Sequence, residues 1–163
     1  MEDHGGNIYD KDIRIDFSVN VNPFGMPEAV KGAAIRGVEE SFRYPDPEQR
    51  KLRQAISAAF CIPAERIVAG SGAAELIWGI TAALQPGKAL VCAPSFGEYE
   101  GALLARGCQV ERFYLGEEND WLATREVVRR TGEEPGLEIL FLCHPNNPTG
   151  RLVPAEILED LAR

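Results

Sequence analysis

The chain has 163 residues, 45% hydrophobic and 26% charged, and carries a net charge of −8 at neutral pH. That is the composition of a globular domain, and no run of about 20 apolar residues is present to span a bilayer. With 25 acidic against 17 basic residues, and no run of Lys or Arg longer than a pair, there is no basic face of the kind nucleic acid demands. The first residues have neither the basic nor the apolar region of a signal peptide, so a cytoplasmic location is expected.

In chain order, two amphipathic helices come first. Residues 28–40 place Val30, Ala33, Ala34, Gly37 and Val38 on one face, and residues 48–60 do the same with Leu52, Ala55, Ile56, Ala59 and Phe60. Short apolar runs at 67–69, 89–93, 108–115 and 137–143 then read as buried strands. Between them lie helical patterns. One carries Leu76, Ile77, Ile80, Ala83 and Leu84 and is stopped by Gln85-Pro86-Gly87; a second, 97–106, is closed by Gly107; a third, 124–131, is closed by Gly132. Residues 154–163 form a last helix with no strand after it. The alternation predicts an α/β fold, a mostly parallel sheet flanked by helices. Doubly wound sheets normally carry five or more strands, so four read as an incomplete one. Cys61, Cys92, Cys108 and Cys143 are widely spaced with no C-x-x-C pair, and three of them lie in apolar, strand-like segments, as expected of reduced thiols in apolar packing.

Ligands of open α/β sheets bind beyond the carboxyl ends of the strands, which directs attention to three loops. Gly70-Ser71-Gly72-Ala73-Ala74-Glu75 is a glycine-rich turn opening into a helix, and its free N–H groups suit a phosphate. It is not a dinucleotide fingerprint, because Glu75 stands where the last glycine belongs. Pro94-Ser95-Phe96-Gly97-Glu98-Tyr99 puts an aromatic ring at the mouth of the sheet, and His144-Pro145-Asn146-Asn147-Pro148-Thr149-Gly150 displays two carboxamides on a proline-stiffened loop. His144 itself reads as a loop residue.

Asn146-Asn147-Pro148-Thr149-Gly150 resembles the Asn-Pro-Thr-Gly loop of fold type I enzymes that use pyridoxal 5'-phosphate. Four further segments match in order: His4-Gly5-Gly6-Asn7, the stretch from Asp16 through Asn20 and Asn22 to Gly25, Arg43-Tyr44-Pro45-Asp46, and the glycine-rich turn. Together they are similar to the threonine-phosphate decarboxylases of cobalamin synthesis and to the histidinol-phosphate aminotransferases. The resemblance implies an aspartate aminotransferase-like large domain over 48–163, preceded by an N-terminal arm and small-domain helix over 1–47. It implies that Ser71, Gly72 and Ala73 hold the cofactor phosphate, that Phe96 stacks on the pyridine ring, and that Asn147 hydrogen-bonds the phenolic oxygen. Tyr44 would reach the phosphate of a neighbouring subunit, making a homodimer or other self-association part of the expectation. His4, Asn7, Asn20 and Asn22 would face a small phosphorylated amino acid.

The same resemblance exposes a gap. None of Lys11, Lys31, Lys51 and Lys88 stands in a context like the family's Schiff-base lysine, which lies beyond the Asn-Pro-Thr-Gly segment together with the aspartate for the ring nitrogen and the arginine for the substrate carboxylate. The chain therefore reads as the N-terminal portion of such an enzyme, inactive alone and holding the cofactor weakly or not at all. Decarboxylase, aminotransferase and a non-catalytic binding module derived from the fold all remain open at this stage.

Overall fold

The computed structural model describes residues 5–9 and 12–163, and the chain divides into two compact units, one up to Leu52 and one from Arg53 onward.

In the first unit the regular element is α1, Glu28–Glu39. Pro27 precedes it, Glu28 stands in its first turn and Arg36 in its last, the charge order that suits the helix dipole. It buries no residue. The apolar face that its spacing predicts is present but lies open to solvent.

Helix α2, Arg50–Phe60, runs across the division and likewise buries nothing. Asp46 caps its start by accepting the N–H of Arg50 at 3.0 Å and that of Glu48 at 3.1 Å. After it the second unit builds a core: α3 (Ala73–Leu84), β1 (Lys88–Ala93), α4 (Glu98–Leu104), β2 (Gln109–Tyr114), α5 (Arg125–Glu133), β3 (Ile139–Phe141) and α6 (Ala155–Leu161). The strands form one parallel sheet in the order β2-β1-β3, with Leu90 opposite Glu111 on one side and Leu140 on the other. Because strand side chains alternate, β1 feeds two separate cores. Ala89 and Val91 pack with Leu103 of α4 and Cys108, whereas Cys92 packs with Leu115, Ala123, Val127, Val153 and Ile157 on the face covered by α5 and α6. Burial on both faces explains the unbroken apolar run of this strand.

Three sequence expectations change. Residues 67–69 are extended at Ile67 but pair with no strand among the described residues, and Val68 is 79% exposed. An apolar triplet becomes a strand only when a neighbour completes its ladder. The strand expected over 137–143 is confined to Ile139–Phe141, and Cys143 instead turns its thiol to the Pro145 carbonyl at 3.3 Å. Gly132 does not close α5; the helix passes through it to Glu133 and stops ahead of Pro135 and Gly136, the latter at φ +72°. A proline restricts the residue before it and a left-handed glycine completes the turn, so this pair is the stronger stop. The cysteines are all free: Cys92 and Cys108 buried, Cys143 half-buried and Cys61 exposed.

Candidate active site

A parallel sheet brings the carboxyl ends of its strands to one edge, and the loops after β1 and β3 both leave from there. After β1, Phe96 is half-buried and meets Tyr99 edge-on, with ring centroids 5.8 Å apart. Tyr99 in turn lies flat on Phe141 of β3, at 4.8 Å and 15°. Burial, and after it the hydrogen bond with the Cys143 thiol, pushes the Tyr99 hydroxyl above the ordinary phenol range. Phe96 is thus held by a stack that reaches back to β3.

The loop after β3 is closed on itself. Asn146 donates its N–H to the Arg151 carbonyl at 2.8 Å and accepts that of Gly150 at 2.7 Å. Its side chain is 7% exposed, and Nδ2 donates to the Pro94 carbonyl at 3.1 Å and to Thr149 Oγ1 at 2.9 Å. Asn147, the next residue, is exposed. The Arg151 guanidinium fixes the far side of the loop to Asp120, whose carbonyl it also meets at 3.1 Å. His144 remains a loop residue, and its Nδ1 accepts the N–H of Val153 at 3.0 Å.

The glycine-rich turn enters α3 through Gly72 at φ +90°, a conformation that a Cβ would oppose. Its donors are partly committed. The Gly72 N–H is bonded to the Gly70 carbonyl at 2.9 Å, and the Ser71 N–H to the Glu75 carboxylate. The N–H groups of Ala73 and Ala74, in the first turn of α3, have no acceptor among the described residues. The Ser71 hydroxyl is exposed. Trp78 of α3 donates Nε1–H to Glu98 of α4 at 2.6 Å, joining the helix behind this turn to the helix behind Phe96.

The remaining expected residues belong to the first unit. Tyr44, Asn7 and Asn20 are exposed. Asn22 spends its amide on its own turn, donating to the Gly25 carbonyl at 2.8 Å and accepting the Phe24 N–H at 3.1 Å. The Gly6 N–H is bonded to Ser18 Oγ at 2.8 Å. His4 lies outside the described residues. Sequence reasoning singled out Asn147 and Phe96 but missed what steadies them, Asn146 and Tyr99; two asparagines side by side, one of which must turn inward, were the available signal. Among the described residues no cluster of His, Cys, Asp or Glu is placed to hold a metal ion, and no helix is long and apolar enough to cross a membrane.

The family model for class I and II aminotransferases matches residues 12–163. The chain belongs to that family. Among its relatives in it, threonine-phosphate decarboxylase of Salmonella typhimurium is 39% identical over 167 residues, covering 98% of this chain and 45% of that enzyme. Histidinol-phosphate aminotransferase of Sinorhizobium fredii is 30% identical, with 90% of this chain and 40% of that enzyme aligned. The solved structure of Thermus thermophilus aspartate aminotransferase with maleate superposes with a TM-score of 0.79 at 28% identity, over 90% of this chain and 41% of that one. This class I/II aminotransferase chain thus has an aspartate aminotransferase-like fold and spans less than half the length of the curated relatives it matches. Enzymes of the family depend on pyridoxal 5'-phosphate in general.

Proposed function

We propose that this chain carries the cofactor-facing loops of a pyridoxal-phosphate-dependent enzyme acting on a phosphorylated amino acid, with decarboxylation of threonine phosphate as the reaction. The observation that supports this most is the convergence at one sheet edge of a ring held in a fixed plane, Phe96, and an exposed carboxamide on a closed loop, Asn147. The unclaimed N–H groups opening α3 suit the phosphate. These residues fit the cofactor: the Ala73 N–H and the Ser71 hydroxyl for its phosphate, with Gly72, whose N–H is on the Gly70 carbonyl, keeping the approach clear of a Cβ, Phe96 for the face of its ring, Asn147 for its phenolic oxygen. When bound, pyridoxal phosphate supplies an electron sink for a bond at the substrate's α-carbon. The protein's part is positional. Phe96 would offer its face to the ring, and Asn147 would donate a hydrogen bond to the phenolic oxygen. Tyr44 of a second copy would reach the phosphate, which makes a homodimer the working assembly. His4, Asn7, Asn20 and Asn22 would receive the substrate.

The 39% identity to a threonine-phosphate decarboxylase favours that substrate, and the histidinol-phosphate aminotransferases supply the second reading. Covalent attachment is not assigned to Lys88, which starts β1 at the end remote from Phe96 and is ion-paired with Glu134. The contacts proposed for this stretch of chain are therefore noncovalent ones. A full-length enzyme carrying this segment should release carbon dioxide from threonine phosphate. Glutamate-dependent transamination of histidinol phosphate with no carbon dioxide from threonine phosphate would overturn the first reading in favour of the second.

A further inference from the structure

We propose that Asn146, not itself a cofactor contact, is the positioning residue that locks Asn147 and Phe96 into one frame. The inference rests on the cofactor roles proposed above for those two residues. The carboxamide of Asn146 is buried, and both hydrogens of Nδ2 are used: one on the Pro94 carbonyl, two residues before Phe96, the other on Thr149 Oγ1, two residues after Asn147. Its backbone closes the same loop through Arg151 and Gly150. One side chain thus ties the loop leaving β3 to the loop leaving β1, and the next residue along turns its own amide outward.

The chemistry of the position is narrow. Pro94 O and Thr149 Oγ1 are both accepting oxygens at this point, so the group between them must present two donors and no charge. Thr149 Oγ1 also takes the Arg151 N–H at 3.3 Å, which orients its hydroxyl and leaves a lone pair for Nδ2. An aspartate has the same shape but places a carboxylate oxygen against an acceptor; an alanine takes the side-chain donor from the half-buried Pro94 carbonyl and leaves Thr149 Oγ1 with the Arg151 N–H alone. The Tyr99 stack braces Phe96 from one side and the Asn146 amide braces the peptide ahead of it, so the ring plane and the outward carboxamide share a support.

Two measurements on the full chain test this. Without cofactor, amide hydrogen exchange compares the parent with Asn146→Ala, Asn146→Asp and Asn147→Ala. Asn146→Ala should speed exchange at Gly150 about tenfold, the effect of losing a neutral hydrogen bond, and speed it at Tyr99, whose N–H is on the Phe96 carbonyl at 3.3 Å, while the amides of β1 stay protected. Asn147→Ala should do neither. Asn146→Asp should behave like Asn146→Ala at neutral pH and regain part of the protection as acid returns one of the two donors to its carboxyl, a pH dependence of the protection factor that the parent lacks. Unchanged loops in Asn146→Ala, or a pH-independent Asn146→Asp, would overturn the proposal. Titration with pyridoxal 5'-phosphate is the second arm: Asn146→Ala should weaken binding about tenfold, and adding it to Asn147→Ala should cost clearly less than that, because the share acting through Asn147 is already gone and only the share acting through Phe96 is left. Multiplying losses would overturn the positioning role. If the parent takes up no pyridoxal phosphate, the cofactor reading of this chain fails by itself, and the exchange arm still decides whether Asn146 holds the two loops.

Discussion

Helices α1 and α4 are both short and amphipathic, yet α4 sinks Ala102 and Leu103 fully out of water while α1 buries no residue. The contrast extends to the units that hold them. From Arg53 onward β1 feeds a core on each face of the sheet; up to Leu52, Phe17, Phe24 and Tyr44 stand almost wholly exposed. Periodicity makes an apolar face, but a face is buried only when the chain supplies a surface to press it against, and a parallel strand with a crossover helix supplies one locally. A helix with no such surface draws little stability from propensity alone.

Hydrogen exchange is the severest test of that contrast. Leu90, Val91 and Cys92 should exchange only through global unfolding, whereas α1 amides such as those of Ile35 and Gly37 should be protected by less than about 2 kcal/mol; equal protection in the two places would break the comparison. Substitution gives the next largest effect. Leu103→Ala should cost about 3 kcal/mol in urea denaturation and Val38→Ala no more than about 0.5 kcal/mol, and a comparable loss at Val38 would mean that α1 has a packing partner. Acid titration sharpens it further. The hydrogen bond from Lys88, with Arg130 nearby, holds Glu134 below the usual carboxylate range, and the backbone N–H of Arg50 does the same to Asp46 in the coreless unit. A carboxylate lowered in the folded state contributes stability that is present above its unfolded pKa and lost as pH falls through the folded one. Glu134→Gln should therefore flatten the acid limb of the cooperative transition and Asp46→Asn should leave it in place; identical limbs in parent and Glu134→Gln would sink the assignment. The smallest effect is at the helix ends. Gln85 ends α3 in the left-handed region at φ 47°, so Gln85→Gly should raise the melting stability by about 0.5–1 kcal/mol. Glu40 ends α1 at φ −85°, where glycine relieves nothing and Glu40→Gly should show no gain.

Much of the second unit is legible in the chain itself. The run Ala89 to Ala93 is apolar at every position because both faces are covered, and the structure extends it by one residue, to Lys88. Gly107 does close α4, at φ +74°. The reading failed where a feature depends on residues far away in sequence. Ile67, Val68 and Ala69 have strand composition but pair with no strand among the described residues, and Val68 and Ala69 line an open groove of about 380 Å3 with α3. Nor does sequence reveal which of Asn146 and Asn147 turns inward, since that is settled by the Pro94 carbonyl, 52 residues away. Composition also gave no warning that the faces of α1 and α2 would lie open, because amphipathicity records a demand for a partner and not the partner.

The carboxylate of Glu75 on the Ser71 N–H has a thermodynamic consequence for any anion that comes to this turn. The donor is not bare; a tethered anion four residues along already sits on it and competes as an intramolecular ligand, at an effective concentration on the order of millimolar. An arriving phosphate that uses Ser71 N–H must therefore trade places with Glu75, and its affinity there is the difference between two anions for one donor. At Ala73 and Ala74 the N–H groups meet no such competitor among the described residues, so on the proposed reading a phosphate would be held by the first turn of α3 rather than by the glycines ahead of it.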